Sequence, residues 1–524
     1  MNFLPATLLA RRNAGLSIQA PADPAIPRNA IALVSIVAST LAAGLPGLGA
    51  WSRLTPDSFT YLDAARCLYE TGGYTPLRMI VPPGFPTLLA PLLSLGDLPF
   101  LAVRWMNLAC WITSGAFTFL LFRRHLGTVG AWLAAVLLAT SPAMSAQSAA
   151  LLSEAAFMPL ILGSLLLVES GRARAKTGWS TIVALGLLCA AATLVRTMGI
   201  VLAPIMGLAL FLRPGAGLRH RVAETILFAT VFAVPLVGWE LRQSHYPRGN
   251  SYGRAWQTAR PSEHSDSEGL ALQIERLSRF GPMRLRDIHS ALVPPRLGWR
   301  SFQGSTAAIA GWLIGGAMIL VTVWRCWRVR SPVDFYCMAT LGMLCFWPYD
   351  EGPRMVVPLL PFFFAYLIWA GQNAQRALAA RPRASRIVTI ALAGILIAHL
   401  CELGLAVPAL ARQREKAEFR VAAMQRIADW QDANLPPGAS LAGYIRPRND
   451  AKTTLLGGSY LARRRVIQTP RDLADPTGDA LVPEVEFLFV HSESAEAPTG
   501  PNHWLPMGHV EGFDVYSRGP QTDE

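Results

Sequence analysis

Residues 179–212 read WSTIVALGLLCAAATLVRTMGIVLAPIMGLALFL, two apolar runs interrupted by a single charged residue, Arg196. A helix needs about 20 apolar residues, and at least about 17, to cross the hydrocarbon core of a bilayer. The runs 179–195 and 197–212 are close to that minimum. They therefore predict two short membrane spans joined by a tight turn at Arg196.

The composition of the whole chain extends this prediction to a protein with many spans. Of the 524 residues, 52% are hydrophobic and only 15% are charged, whereas soluble domains contain about 25% charged residues. This excludes a secreted or cytosolic enzyme. The net charge of +13 does not indicate nucleic acid, because most basic residues lie in short loops between apolar runs, where they signal membrane topology. The expected partner is the lipid bilayer.

The apolar runs predict an all-α polytopic bundle of about eleven spans. We place these spans at 30–50, 100–122, 128–147, 150–169, 179–195, 197–212, 222–241, 305–324, 333–347, 354–371 and 386–408. None of the seven cysteines forms a CxxC pair or a Cys/His cluster with metal spacing. The cysteines therefore predict neither a disulfide framework nor a zinc site.

Basic residues in alternate loops predict the orientation. These are Arg11, Arg12, Arg28, Arg123, Arg124, Arg172, Arg174, Lys176, Arg213, Arg219, Arg221, Arg325, Arg328, Arg330, Arg376, Arg381, Arg383 and Arg386. The positive-inside rule places these loops and the segment 1–29 in the cytoplasm. The loops 51–99 and 242–304 and the tail 409–524 then lie on the outer side of the membrane, beside the multi-span domain 30–408.

The tail predicts a small α/β domain. Residues 413–434 have the apolar spacing of an amphipathic helix that ends before Pro436-Pro437-Gly438. Short strand-like runs follow at 440–445, 485–490 and 509–516, with a possible helix at 450–456. We expect this extracytoplasmic domain to contain no nucleotide site, because the tail has no glycine fingerprint for phosphate.

The first outer loop is the most unusual segment. Asp57 precedes a predicted helix from Ser58 to Tyr69 that carries Tyr61 on one face, and Gly72-Gly73-Tyr74 follows. The prolines of VPPGFP at 81–86 then predict a rigid extended turn before a short apolar piece at 87–95. Asp57 has two possible roles at this point, since a carboxylate near the membrane surface suits catalysis and Asp is also a good helix cap.

Three further ionisable residues lie at the predicted outer ends of spans. Glu154 lies at the outer end of the span 150–169, Arg196 lies in the turn quoted above, and Arg354 begins a late span after Trp347-Pro-Tyr-Asp-Glu-Gly-Pro. Ionisable groups at membrane depth are costly and are functional hypotheses by default. Glu154 could instead form a structural ion pair with Arg196 or Arg354. In the functional interpretation, a carboxylate base lies beside guanidiniums, which suit phosphate.

Taken in order, these features resemble the GT-C class of membrane glycosyltransferases. The resemblance covers about residues 50–410, and it is strongest for the branch of protein O-mannosyltransferases and lipid A aminoarabinose transferases. Its most specific stretches are Asp57–Pro86, Ser153-Glu154, Leu194–Pro204 and Arg354–Pro361. That branch combines an early outer-loop Asp, a PPG-type turn, a later outer acid, basic residues near late spans and a C-terminal outer domain.

The resemblance implies a role for each matching residue. Asp57 matches the catalytic carboxylate, and Glu154 matches a second catalytic acid that orients the acceptor or assists the base. Arg196, Arg354 and Tyr349 match positions that hold the phosphate of a polyprenyl-phosphate sugar. Tyr61 and Tyr74 are candidates for contact with the acceptor. Ser58 departs from the mannosyltransferase branch, which often has a second acid directly after the first Asp. No DxD-like metal pair occurs, so we expect neither a metal nor a cofactor.

The implied function is transfer of a sugar from a polyprenyl-phosphate donor to a hydroxyl of a glycan, lipid or protein, on the outer face of the cell (inner) membrane. A transporter or flippase and a ligase of the O-antigen type remain alternatives. The loop 242–304 contains Tyr246, Tyr252, Trp256 and Trp299. These aromatic residues either cover the substrate cavity or form the interfacial belt of a membrane protein.

Overall fold

The structure is a computed structural model, and its helices run from residue 25 to residue 434. It describes residues 25–48, 54–74, 81–96, 98–172, 178–244, 269–293, 305–347, 352–437, 439–444, 455–456, 458–463, 465–468, 486–491 and 504–518. The helices are α1 Ala25–Leu48, α2 Pro56–Thr71, α3 Gly84–Leu89, α4 Phe100–Ala139, α5 Pro142–Ser148, α6 Glu154–Arg172, α7 Trp179–Val195, α8 Leu202–Phe211, α9 Leu218–Ser244, α10 Gly269–Leu292, α11 Ser305–Val329, α12 Pro332–Phe346, α13 Leu360–Ala377 and α14 Pro382–Asn434. Three 3-10 helices, Ala90–Leu95, Thr197–Val201 and Gly352–Leu359, precede α4, α8 and α13.

Many of these helices are apolar enough for a membrane. Within the described residues, six helices have the length and composition needed to cross a bilayer, at Phe100–Ala139, Glu154–Gly171, Leu218–Gln243, Gly311–Val329, Gly352–Ala377 and Pro382–Glu402. Five shorter apolar helices accompany them, at Asn29–Leu45, Gly84–Leu95, Trp179–Val195, Thr197–Phe211 and Pro332–Phe346. The predicted helical bundle with a small C-terminal sheet is confirmed, whereas the number of eleven spans stays a prediction.

Helix α4 lies at the centre of the bundle. Trp111, Phe119 and Phe122 on α4 are completely buried. The Phe122 ring packs edge-on against Phe362 and Tyr366 of α13, with ring centroids 6.1 and 6.4 Å apart. Aromatic rings bury large apolar areas. This contact therefore packs an early helix, α4, against a late helix, α13.

The boundaries of several predicted spans change in the structure. The predicted spans 100–122 and 128–147 form the two arms of α4, which bends at Gly127 (φ 71°, ψ 174°) and ends at Ala139. The predicted span 386–408 and the amphipathic helix 413–434 form one continuous helix of 53 residues, α14. The predicted domain boundary at 409 therefore falls inside a helix.

The predicted loop 242–304 contains a helix, α10, that the apolar pattern does not predict. Helix α10 packs closely on α11, because a Cβ on Gly315 of α11 would lie 2.4 Å from the carbonyl oxygen of Leu285. Gly311, one turn earlier, faces Arg286 at ordinary contact distance, since a Cβ there would lie 3.4 Å from the Arg286 Cα. Small residues allow two helix backbones to approach this closely. The loop aromatics Tyr246, Tyr252, Trp256 and Trp299 lie outside the described residues.

The C-terminal sheet has five strands, β1 Ser440–Tyr444, β2 Arg465–Gln468, β3 Phe487–His491, β4 Trp504–Val510 and β5 Phe513–Arg518. Their order is β2-β1-β3-β5-β4, with β1 parallel to β2 and β3, and β5 antiparallel to β3 and β4. The predicted strand 509–516 is wrong as a single strand, because a turn at Glu511-Gly512 divides it into a hairpin. Strand β2 was not predicted. The possible helix 450–456 lies mostly outside the described residues.

Candidate functional site

Asp57 lies in the first turn of α2 and its side chain points to Arg354. The helix begins at Pro56, and Thr55 is the cap residue, joined to Ser58 in a capping box. The alternative that Asp57 caps this helix is therefore wrong, as is the predicted start at Ser58. Proline favours the first position of a helix because its φ is already helical. Pro56 thus begins the helix earlier and leaves the Asp57 carboxylate available to another segment.

That segment is the 3-10 helix Gly352–Leu359. Nη2 of Arg354 donates to Oδ2 of Asp57 at 2.8 Å. The pair is accessible, with 47% of the Asp57 side chain and 23% of the Arg354 side chain exposed. The two residues are separated by 297 positions in sequence, so the fold joins the first and the last of the predicted site residues.

Glu154 and Arg196 form a second ion pair, which is buried. Nη1 of Arg196 lies 2.6 Å from Oε1 of Glu154, and the side-chain exposures are 14% and 1%. Oε2 of Glu154 is also buried and has no hydrogen-bond partner among the described residues. Of the two partners considered for Glu154, the structure therefore selects Arg196.

Two contacts connect these ion pairs. Nη2 of Arg196 contacts Sδ of Met355 at 3.2 Å, and Met355 directly follows Arg354. On the other side, the Tyr61 hydroxyl lies 3.2 Å from Oγ of Ser153, which precedes Glu154. Tyr61 lies one helical turn beyond Asp57 on α2. The two ion pairs are therefore connected twice, through Met355 next to Arg354 and through Tyr61 on the helix of Asp57.

Two glycines bring the segments of the site together. The PPG turn packs against the end of α7, since a Cβ on Gly84 would lie 2.7 Å from backbone atoms of both Leu194 and Val195. After Arg196 the chain folds back on α7, and a Cβ on Gly199 would lie 2.5 Å from the backbone nitrogen of Thr193. Backbones approach this closely only where no side chain intervenes. The turn that carries Arg196 is therefore held against the Pro-rich turn of the loop 51–99.

Tyr74 lies near the site but does not contact its charged residues in the described structure. Its hydroxyl donates to the carbonyl of Pro83 at 2.9 Å and lies 2.6 Å from Oγ1 of Thr87. Arg242 of α9 donates to the Tyr74 carbonyl and its guanidinium lies over the Tyr74 ring, 5.5 Å from the centroid. Burial raises the pKa of the Tyr74 hydroxyl, while Thr87 and Arg242 oppose the shift. Tyr74 thus fixes the base of the Pro-rich turn.

Five of the predicted site residues can therefore be placed together: Asp57, Tyr61, Glu154, Arg196 and Arg354. Tyr74 lies apart from them, and Tyr349 lies outside the described residues. Met355 and Arg242 were not among the predicted site residues. Neither had a signal of its own, because a Met in an apolar run and an Arg at the end of a span are common in any membrane protein.

The accessible carboxylate of this site lies against a guanidinium, and a second guanidinium is held by a buried acid. Such a site has a proton acceptor and two cationic groups suited to phosphate oxygens. Among the described residues, no group of three or more His, Cys, Asp or Glu side chains could hold a metal ion.

Comparisons with known proteins place this arrangement in a known architecture. The fold is similar to ArnT from Cupriavidus metallidurans bound to undecaprenyl phosphate, with a TM-score of 0.56 and 16% identity, over 93% of this chain and 99% of ArnT. It is also similar to the archaeal oligosaccharyltransferase AglB from Archaeoglobus fulgidus, in complex with an inhibitory peptide and a dolichol-phosphate (TM-score 0.54, 13% identity, 95% of this chain and 74% of AglB). The chain has the GT-C fold.

The GT-C fold agrees with the sequence match. Residues 81–239 match the family model of dolichyl-phosphate-mannose-protein mannosyltransferases. No curated protein sequence matches the chain significantly. The predicted resemblance to GT-C membrane glycosyltransferases is confirmed. The matched segment contains the PPG turn, Glu154 and Arg196, but it includes neither Asp57 nor Arg354.

Proposed function

We propose that this protein transfers a sugar from a polyprenyl-phosphate donor to an acceptor hydroxyl at the outer face of the membrane. One observation carries the proposal: the accessible Asp57–Arg354 pair lies beside the buried Glu154–Arg196 pair, within a GT-C fold. The likeness to a structure that contains undecaprenyl phosphate supports a lipid phosphate as the donor's leaving group.

The proposed reaction replaces one bond at the anomeric carbon. The acceptor oxygen forms a new bond to this carbon as the bond from the carbon to the phosphate oxygen breaks. The polyprenyl phosphate departs with the bonding electron pair, and the acceptor proton passes to the Asp57 carboxylate. General base catalysis of this kind contributes typically about 10²–10⁴-fold to the rate. Asp57 suits the role because almost half of its side chain is exposed.

Arg354 is the proposed ligand of the donor phosphate. Exposed ion pairs contribute only about 0–1 kcal/mol, so Arg354 loses little when it turns from Asp57 toward an incoming phosphate. That exchange also frees the carboxylate for the acceptor. The guanidinium then neutralises the charge that develops on the phosphate as the bond breaks.

Arg196 is the proposed second cation, oriented by Glu154. Breaking a buried ion pair by removing one partner costs about 3–5 kcal/mol, so this pair stays intact during the reaction. Glu154 thereby fixes Arg196 rather than accepting a proton itself. Tyr61 supports the arrangement through Ser153. Tyr349 stays a candidate for the same phosphate, and Tyr74 one for the acceptor.

The proposal places the site outside the cytoplasm, with the enzyme in the cell (inner) membrane as a hexosyl or pentosyl transferase. The arginine pattern of the loops supports this orientation. In it, the two ion pairs, the loops 51–99 and 242–304 and the C-terminal domain 409–524 lie on the outer side.

Reconstitution tests the proposal directly. Purified protein in liposomes would be supplied with a polyprenyl-phosphate sugar carrying a radiolabel in the sugar, together with crude envelope glycolipid as acceptor. We expect the label to move to a new glycosidic product and unlabelled polyprenyl phosphate to appear in equal amount. Movement of intact donor between leaflets without a new product would identify a flippase and contradict the proposal.

A further inference from the structure

A residue of the C-terminal region, Tyr460, packs against α2, the helix that carries Asp57. Tyr460 lies in a short helical segment at 458–461 and is 1% exposed. Its ring centroid lies 6.0 Å from that of Phe59, and the Arg66 guanidinium carbon lies 3.5 Å from the Tyr460 centroid. Nη1 of Arg66 also donates to the Tyr460 carbonyl at 2.6 Å. Tyr460 therefore contacts α2 at two points, one just after Asp57 and one near the middle of the helix.

These contacts belong to the core of the helical bundle. Tyr460 and Met424 are buried in the same apolar cluster as Phe59. By contrast, Ile427, Leu455 and the sheet residues form a separate cluster under the C-terminal strands. Tyr460 thus inserts from the C-terminal region into the packing around the site. Leu456 and Leu461 pack against the same cluster as Tyr460, whereas Leu455 packs under the sheet.

The segment 458–461 is itself fixed to α14. A Cβ on Gly458 would lie 2.5 Å from Cγ2 of Ile427, which shows how closely the segment approaches the helix. The Gln431 amide donates to the Ser459 hydroxyl at 2.9 Å, and both residues are buried. A displacement of α14 or of the segment is therefore transmitted to Tyr460, because a densely packed interface does not absorb it.

We propose that Tyr460 and Arg66 are positioning residues through which the C-terminal domain holds the Asp57 helix in register with Arg354. Neither side chain belongs to the charged site. They act through α2, whose placement sets the distance of the carboxylate from the acceptor oxygen. Misplacement of a catalytic group by about 1 Å can cost about 10²-fold in rate. This role in the reaction rests on the proposed function, whereas the mechanical coupling does not.

Four variants test the coupling. Tyr460→Ala removes both ring contacts, Tyr460→Phe keeps them, and Arg66→Met keeps the apolar stem of the side chain but removes the guanidinium. Trp430→Ala is the matched control, because Trp430 packs on Phe489 of the sheet, with ring centroids 5.9 Å apart. It removes an aromatic side chain of the same region without touching α2.

Two measurements separate positioning from general stability. Hydrogen exchange by mass spectrometry reports the protection of the 56–71 amides and needs no substrate. Steady-state kinetics reports kcat and the donor KM of the glycosyl transfer. We expect Tyr460→Ala and Arg66→Met to lose protection in α2 and to lower kcat about 10–100-fold at unchanged donor KM. We expect Tyr460→Phe and Trp430→Ala to match the wild type in both measurements.

Wild-type protection of α2 in both Tyr460→Ala and Arg66→Met would overturn the inference, as would equal losses in Trp430→Ala. Loss of protection with unchanged kcat would overturn the positioning role. If the wild type itself transferred no sugar, the proposed function would fail, while the exchange measurement would still decide whether Tyr460 holds α2.

Discussion

The two arginines of the site differ in what their removal leaves behind. Arg354 is paired with Asp57, of which 47% is exposed, so water can solvate the carboxylate when the arginine is absent. Arg196 is paired with Glu154, of which only 1% is exposed. Removal of Arg196 leaves a buried carboxylate, whose charge is costly without a partner. Substitution by alanine should therefore affect donor binding at Arg354 and folding at Arg196.

We expect Arg354→Ala to raise the donor KM and leave the melting temperature unchanged. The loss of a charge-assisted hydrogen bond costs about 1.5–3 kcal/mol, which corresponds to about a tenfold or larger rise in KM. Arg196→Ala should lower the melting temperature clearly, and Arg383→Ala, an exposed arginine in α14, is the control. Thermal unfolding in detergent and donor titration measure both effects. An unchanged donor KM in Arg354→Ala would show that this arginine has only a structural role in its pair with Asp57.

At the level of single residues, the sequence predicted that these four charges lie together but not which of them form pairs. Asp57, Glu154, Arg196 and Arg354 could be selected because ionisable residues at the ends of spans are rare. The role of Asp57 as a cap stayed open, although the sequence contains Thr55, Pro56 and Ser58, a capping pattern with proline at the first helical position. Burial, which separates the two ion pairs, depends on side chains from four distant segments and has no local signal.

The elements of the site are brought together by close backbone contacts at glycine. Gly84 of the PPG turn lies against the carbonyl and nitrogen atoms at the end of α7, where a methyl group would lie only 2.7 to 2.8 Å from them. The backbone atoms of Leu194 and Val195 cannot move aside for an added methyl group as the end of a flexible side chain could. The register of the turn with α7 therefore depends on the absence of a side chain at this position.

We expect Gly84→Ala to push the first outer loop away from the Arg196 turn and to lower both stability and turnover. Overpacking of this kind costs typically about 1–3 kcal/mol. Gly207→Ala in α8 is the control, because no atom lies within 4 Å of the added methyl group. Melting temperature and transfer rate are the measurements. Equal behaviour of the two variants would show that the PPG turn does not set the geometry of the site.

Apolar periodicity predicted most helices but not their junctions. The break expected between 408 and 413 does not occur. Helix α14 continues through Pro408, a residue that disfavours a helix interior, to Asn434. In the sheet, Glu511 and Gly512 both have positive φ (48° and 81°), which suits a tight turn of a β-hairpin. Glu-Gly is a weaker turn signal than Asn-Gly. The apolar residues on both sides of it therefore predicted one continuous strand.

For the whole molecule, arginines between spans predicted the orientation, yet two of them are buried rather than exposed charges. Arg213 is 1% exposed and pairs with Glu224 at 2.9 Å, and Arg325 is 1% exposed and lies 2.7 Å from Asp334. Both belong to buried ion pairs. Their presence on the predicted cytoplasmic side still agrees with the remaining exposed arginines, but the number of independent signals is smaller than the sequence suggested.

The orientation itself is a testable property of the intact protein. A reporter that is active only after export, fused after Glu524, should be active, because the tail 409–524 is predicted to lie outside the cytoplasm. A cytoplasmic reporter at the same position should be inactive, and fusion after Arg124 should give the reverse pattern. Activity of the cytoplasmic reporter after Glu524 would place the site on the wrong side for the proposed reaction.

The central claim is that the Asp57 carboxylate accepts the proton of the acceptor hydroxyl. Asp57→Asn keeps the size of the side chain, and Thr55 still caps α2. The variant loses only the exposed ion pair with Arg354, worth up to about 1 kcal/mol, and a favourable charge near the helix start, worth about 0.3–1 kcal/mol. It should therefore fold, insert and bind the donor. Asp63→Asn, an exposed residue of the same helix, is the matched control.

The decisive measurement is the turnover of purified Asp57→Asn with a polyprenyl-phosphate sugar at saturating donor and acceptor. The amide cannot take the proton, so we predict that turnover falls by at least about 100-fold, with donor affinity and melting temperature near those of the wild type and Asp63→Asn fully active. An Asp57→Asn enzyme that folds normally and transfers sugar at the wild-type rate would contradict the assignment of Asp57 as the base.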